Sequence, residues 1–339
     1  MPQDANAAPE EKPKPRAKAQ PKNSSWPWFT TPQPIKRLFD KFPLETYGQN
    51  ELPQRTAQHR DQHALYVFTT DNGARRGAPS FNPGCLKWQA YLKFRNFSFI
   101  TISSNNHASP DGALPFLLPS ASSSTFPDAP PSPVPSNRIQ RWTRDTIAKR
   151  KGISNASGLS RQQSEHGAAP AESRTSKEED IAPTDPSDMR YEAYMSLLDH
   201  WIRNAYLYSL YLSPPNFDSI AFPLYIAPST TNTLVRITLS HQLRAAAETE
   251  LLKQSARIEV VAIHQESDKA FAALSELLGD DEYFFGEKKP GLFDASVFAY
   301  TNLLLDEGLD WRDTRMADGL RGYRNLVAHQ KRIRQTHFR

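Results

Sequence analysis

The pattern that most constrains this chain runs from His63 to Pro119. His63-Ala-Leu-Tyr-Val-Phe-Thr-Thr70 is an apolar run of buried-strand length. Leu86, Gln89, Ala90, Leu92 and Lys93 recur at helical spacing after a loop ending in Phe81-Asn-Pro-Gly-Cys85. Phe97-Ser-Phe-Ile-Thr-Ile-Ser103 reads as a second strand. A turn, Ser109-Pro-Asp-Gly112, leads to Leu114-Pro115 and a third strand, Phe116-Leu-Leu118. The order is strand, helix, strand, turn, proline, strand.

That order is the thioredoxin-like half domain. Its chemistry sits at the start of the first helix and at the proline-led turn, so those two places decide what the unit can do. Composition bounds the rest. Only 38% of 339 residues are apolar and 28 are proline, so part of the chain is expected to be unpacked. A net charge of +4 does not by itself call for nucleic acid. One cysteine excludes an intramolecular disulfide and a Cys-rich zinc site. Nine histidines lack metal-ligand spacing, and His329 reads as a surface or boundary residue. No apolar run approaches the roughly 18 residues of a membrane span.

Five prolines and three acids in residues 1–25 predict a disordered tail and argue against a cleaved transit peptide. Residues 26–60 form an apolar arm in which Trp26, Trp28, Phe29, Leu38, Phe39, Phe42 and Tyr47 need a surface to bury against. Residues 61–150 are the α/β unit, with a mobile Ser/Pro-rich insertion at 120–136 and a helix from Asn137 to about Lys151 burying Ile139, Trp142 and Ile147. Residues 151–188 are polar and predict a disordered linker.

From 189 to 339 the chain reads as all-helical. Tyr194, Leu197, Leu198, Trp201, Ala205, Tyr208 and Leu212 form one stripe, ended by Pro214-Pro215. Phe222 to Pro228 is an apolar connection. Helices follow from Leu234 through Ala247, then with Ala256, Val260, Ile263, Ala270, Leu274 and Leu277 lining one stripe, stopped by Gly279. Gly291 N-caps a helix with Asp294 at its third position. A last helix over Asp318 to Arg334 buries Leu320, Tyr323, Val327 and Ile333.

An α/β unit followed by an all-helical domain with an Asp-capped inner helix resembles the glutathione-transferase fold. Cys85-Leu-Lys-Trp-Gln-Ala-Tyr-Leu92, Asn106-His-Ala-Ser-Pro-Asp-Gly-Ala-Leu-Pro-Phe116 and Tyr283-Phe-Phe-Gly-Glu-Lys-Lys-Pro-Gly-Leu-Phe-Asp294 are similar to signatures of its non-enzymatic branch, the metaxins. Pro34-Ile-Lys-Arg-Leu-Phe39, Phe42-Pro-Leu-Glu-Thr-Tyr47 and Arg203-Asn-Ala-Tyr-Leu-Tyr208 resemble the fungal members. The resemblance implies a peripheral subunit of the sorting and assembly machinery (SAM complex), on the cytosolic face of the mitochondrial outer membrane, that helps insert β-barrel precursors. The implied partners are the β-barrel insertase core, a second metaxin-like subunit and precursor sorting signals. Nucleic acid is not among them.

The former active-site positions are degenerate. A thiol enzyme needs its thiolate at the N-terminal tip of the first helix, where the dipole and free N–H groups lower its pKa. Asn82 stands there, and Cys85 takes the second, normally buried position. Pro115 keeps the proline turn. Ser136 keeps a helix cap, but Pro135 stands where a glutathione-holding acid is expected. No catalytic, cofactor or metal residue is therefore assigned. Two alternatives remain: a glutathione-dependent transferase using Thr69, Thr70 or Ser80, and a structural transferase-like module of another complex.

Overall fold

The computed structural model describes residues 61–121, 132–161 and 189–338, all within one compact unit, Asn50–Arg339. The arm, the core of the Ser/Pro insertion and most of the linker lie outside the described residues.

A four-stranded sheet, ordered β2-β1-β3-β4, anchors the first half. Strand β1 (His63–Val67) pairs parallel with β2 (Phe99–Ser103) and antiparallel with β3 (Phe116–Leu118). A fourth strand, β4 (Val134–Pro135), lies inside the stretch assigned to the insertion and closes the β3 edge. Strand β1 ends at Val67 rather than Thr70, because Thr70 turns to cap a short helix, α1 (Asp71–Arg76), in what the sequence suggested was loop. Helix α2 (Pro83–Phe94) follows the expected stripe. Helix α3 (Ser136–Arg161) runs ten residues past Lys151, into the segment read as linker.

Leu65, Val67, Cys85, Leu92, Phe97, Leu117 and Ile139 form one buried cluster between the sheet, α2 and α3, with Trp142 and Ile147 packed against it. Leu86, Ala90 and Tyr91 on the other side of α2 belong to the core of the helical half. The two halves therefore share α2 as a common wall. It packs along α9 (Leu292–Leu304), where every residue except Tyr300 is buried. A helix buried on all sides can be stable only in such a central place.

The second half opens with α4 (Met189–Leu197). It continues through a π-helical turn (Leu198–Ile202), α5 (Arg203–Leu207), a second π turn (Tyr208–Leu212), α6 (Pro214–Asn216) and a longer π stretch (Phe217–Ile226). The widened turns change the period. Buried Leu198, Ile202, Tyr206 and Leu210 recur every four residues, as do Ala205, Ser209, Ser213, Phe217 and Ala221. Trp201, Tyr208 and Leu212, on the expected 3.6-residue stripe, are only half-buried. As expected, the helix ends before Pro214-Pro215, at extended Ser213, and a new helix starts there with the prolines in its first positions, where no amide hydrogen is needed. The segment read as a connection, Phe222–Pro228, is largely π-helical.

Helices α7 (Thr233–Leu251) and α8 (Val260–Leu278) follow, the latter closed by Gly279 at φ 52°. Ala256 precedes α8 and is exposed. The expected last helix is two, α10 (Arg315–Arg321) and α11 (Arg324–His337), broken at Gly322-Tyr323. The break rotates the later stripe. Leu326, His329, Gln330 and Ile333 are buried, while Tyr323 and Val327 are only half-buried.

Candidate functional site

The α2 tip follows the contact of Ser80 with Phe68 beyond the end of β1, while the proline turn and the start of α3 border the β3–β4 pair. Pro115 directly precedes Phe116, which pairs with Tyr66 on one side and Pro135 on the other. Pro115 and Ser136 thus border the β3–β4 pair, and Asn82 caps α2. Cys85 sits one turn into α2 and is fully buried.

The side chain that caps the α2 tip is itself held within the chain. Asn82 Oδ1 accepts the Cys85 N–H at 3.1 Å, which makes Asn82 the helix N-cap, and Pro83 supplies the first helical position. The Asn82 side-chain amide donates to Tyr225 Oη at 3.3 Å, and that hydroxyl donates to the Phe81 carbonyl at 3.3 Å. Phe68, Phe81 and Tyr225 form an edge-to-face aromatic cluster, with Tyr225 centred 5.3 Å and 5.1 Å from the two phenylalanines. Tyr225 was missed in the sequence because Pro223 made its segment look like a connection. The signal was present: Phe217, Ile220, Ala221, Leu224 and Tyr225 recur at helical spacing.

The proline turn is closed in the same way. The Leu114–Pro115 peptide is cis. In this fold the residue before that proline offers its backbone N–H to a bound peptide. Here the Leu114 N–H donates to Asn106 Oδ1 at 3.0 Å.

The candidate nucleophiles are buried or hydrogen-bonded within the chain. Burial pushes the Cys85 thiol up to about 12, and hydrogen bonds to the Phe68 backbone and the Ser80 hydroxyl only partly offset that. Such a thiol carries almost no thiolate at neutral pH. Burial also holds the Tyr225 phenol well above its ordinary value. Thr70 Oγ1 caps α1 by accepting the Gly73 N–H at 3.0 Å. Thr69 is buried. Ser80 is fully buried: its hydroxyl donates to the Phe68 carbonyl and its N–H to Gln89 Oε1. Among the described residues, no group of three or more His, Cys, Asp or Glu is placed to hold a metal, and no helix is long and apolar enough to cross a membrane.

A second polar cluster lies in the helical core. Asp294 accepts the Gly291 N–H at 2.8 Å and the Phe284 N–H at 3.0 Å, and it meets His329 Nε2 at 2.9 Å. His329 is therefore not a surface residue. It is fully buried, edge-on to Phe284 at 5.1 Å, and ties α11 to the start of α9. The arm residues Trp26, Trp28, Phe29, Leu38, Phe39, Phe42 and Tyr47 lie outside the described residues.

The family described as "SAM35, subunit of SAM complex" matches residues 29–87, spanning the arm, β1 and the tip of α2. "Glutathione S-transferase N-terminal domain" matches 83–170, and "Glutathione S-transferase, C-terminal domain" matches 267–333. No curated protein matches the chain. Solved structures similar to it include a glutathione transferase family member from Pseudomonas fluorescens pf-5, at 12% identity, covering 83% of this chain and 92% of that one with a TM-score of 0.40. Another is the beta-etherase LigF from Sphingobium sp. strain SYK-6, at 14% identity, 81% and 99% coverage and a TM-score of 0.42. A third is the glutathione transferase GSTFuA3 from Phanerochaete chrysosporium, at 13%, 78% and 97%, and 0.43. The two transferase-domain matches, together with the mixed sheet and the helical half around α9, make this a glutathione-transferase-like fold: a thioredoxin-like domain followed by a helical domain.

Proposed function

We propose that the chain is a non-catalytic, metaxin-like peripheral subunit of the mitochondrial outer-membrane sorting and assembly machinery, acting on its cytosolic face to aid insertion of β-barrel precursors. The observation that carries this reading is the helix tip. Where a transferase needs a free nucleophile, Asn82 caps the helix and is held by Tyr225. The match of residues 29–87 to a SAM complex subunit supplies the direction. Contacts with the β-barrel insertase and a second metaxin-like subunit belong to the apolar arm, through Trp26, Trp28, Phe29, Leu38, Phe39, Phe42 and Tyr47. Each of its aromatic side chains can bury on the order of 150–250 Å² on a partner.

Affinity isolation of the tagged chain from mitochondria, followed by mass spectrometry, tests the reading. A β-barrel insertase should co-isolate, and alkaline carbonate should extract the chain. Deleting residues 1–53 should abolish co-isolation while the remaining body stays folded. Retention on glutathione resin, or partners from another compartment, would overturn the proposal in favour of a hydroxyl-dependent transferase or a module of another complex.

A further inference from the structure

The start of α7 gathers three of the six large apolar side chains exposed among the described residues. Leu234, Val235 and Ile237 are 75%, 43% and 61% exposed within four residues. The side of α7 that faces the core is carried by other residues, Leu239, Leu243, Ala247 and Leu251. The three aliphatics are therefore surplus to folding. At ~100° per residue they spread over about 160° around the helix. They wrap its end instead of forming the i, i+3, i+7 seam that a groove in a partner protein reads. The next outward positions, Thr238, His241 and Gln242, are polar.

Along the sequence, the charge flanking this tip has one sign. No aspartate or glutamate occurs between Asp218 and Glu248. Arg236 donates to the Thr230 and Ala227 carbonyls at 2.6 Å and 3.0 Å, and among the described residues no carboxylate neutralises it. The α7 N-terminus, capped by Asn232 Oδ1 on the Leu234 and Val235 amides, adds the positive end of a 19-residue helix.

We propose that the first turns of α7 are a bilayer-contacting tip, in which Leu234, Val235 and Ile237 enter the headgroup–acyl boundary of an anionic lipid surface under the positive field of Arg236 and the helix N-terminus. Aliphatic insertion supplies the grip, and the lone sign of charge selects anionic over neutral lipid. The contact is weak and salt-dependent, suited to orienting a subunit that protein partners recruit. It deepens the reading of the chain as a peripheral membrane-complex subunit, and its test is separable from that reading.

The purified full chain is sedimented with vesicles of phosphatidylcholine and with vesicles carrying phosphatidylinositol as well, at low and physiological salt. Binding should favour the anionic vesicles and fall with salt. The double variant Leu234→Ser/Ile237→Ser should lose it by about a hundredfold, since each buried aliphatic contributes roughly tenfold. Both positions face solvent, so its circular dichroism and thermal midpoint should stay at wild-type values. In a detergent extract, where no bilayer remains, it should co-isolate with the outer-membrane complex as the wild type does. Equal binding of the two vesicle types, or of wild type and variant, overturns the inference and leaves the subunit assignment standing. Loss of co-isolation in detergent also overturns it, by making the tip a protein contact.

Discussion

Replacing Asp294 with alanine should be among the most damaging single changes in the helical half, although the residue touches nothing at the α2 tip. The carboxylate accepts three hydrogen bonds, from Gly291 N–H, Phe284 N–H and His329 Nε2, at 2.8–3.0 Å. Both Asp294 and His329 are essentially inaccessible to water. Alanine leaves all three donors without an acceptor. Each orphaned buried donor costs about 1–3 kcal/mol, and partial relaxation makes the sum less than additive. A total of about 3–5 kcal/mol is expected, the range seen when one partner of a buried pair is removed. For a body of this size that is a fall of roughly 6–20 °C in midpoint, at about 2–4 °C per kcal/mol. Asp294→Asn should cost less, about 1–3 kcal/mol, because its carbonyl oxygen still serves two donors while its NH₂ opposes the third. Urea unfolding followed by far-ultraviolet circular dichroism and tryptophan fluorescence gives both values. An Asp294→Ala protein within about 1 kcal/mol of wild type, with native near-ultraviolet signal, would refute the idea that this carboxylate holds α9, α11 and the Phe284 turn together.

Three further outcomes are expected. Cys85 should resist a thiol reagent at neutral pH until the protein unfolds, and Cys85→Ser should cost about 1 kcal/mol without loss of partners; in contrast Asn82→Cys should create a reactive thiol at the helix tip, and an inert one would mean that the helix end does not govern reactivity there. Tyr225→Phe should cost about 1–2 kcal/mol by leaving the Asn82 amide without its acceptor, and no change on thermal unfolding would show that water replaces the hydroxyl. Burial lowers His63, His264 and His337 below the ordinary 6.5, so between their folded values and 6.5 the unfolded chain binds more protons; stability should fall as pH drops below about 6.5, and a flat or rising profile between pH 7 and 5 would contradict this.

Much of the fold was legible because local pattern and tertiary structure agree. The α2 stripe, the proline-led third strand, the Gly279 stop and the Asp294 cap follow from rules that act within a few residues. The failures have physical causes. Thr70 is a strand former by type, but its hydroxyl cap on Gly73 ends β1 early. Two-residue β4 has too little sequence to announce itself beside the Ser/Pro stretch. Three π turns shift the buried period from 3.6 towards four, so a stripe read at the α period drifts off the core. His329 was misplaced because nothing near it in sequence signals a partner 35 residues away.

The same long-range pairing explains how a transferase-like frame can be stable with its former site closed. In an open site, the helix-tip amides and the amide before the cis proline wait for a ligand, and water satisfies them meanwhile. Here the Cys85 and Leu114 amides are satisfied from within. The Cys85 amide is taken by Asn82, the Asn82 side chain by Tyr225, and the Leu114 amide by Asn106. Asn82 and Asn106 each occupy a donor that would otherwise serve a bound peptide. Tyr225 reaches the tip from the helical half, so it also bonds the two halves. Closing those donors removes the desolvation cost of an empty, buried polar site. In the proposed non-catalytic role, such a frame has no small molecule to admit, and its internal pairing carries no cost in function.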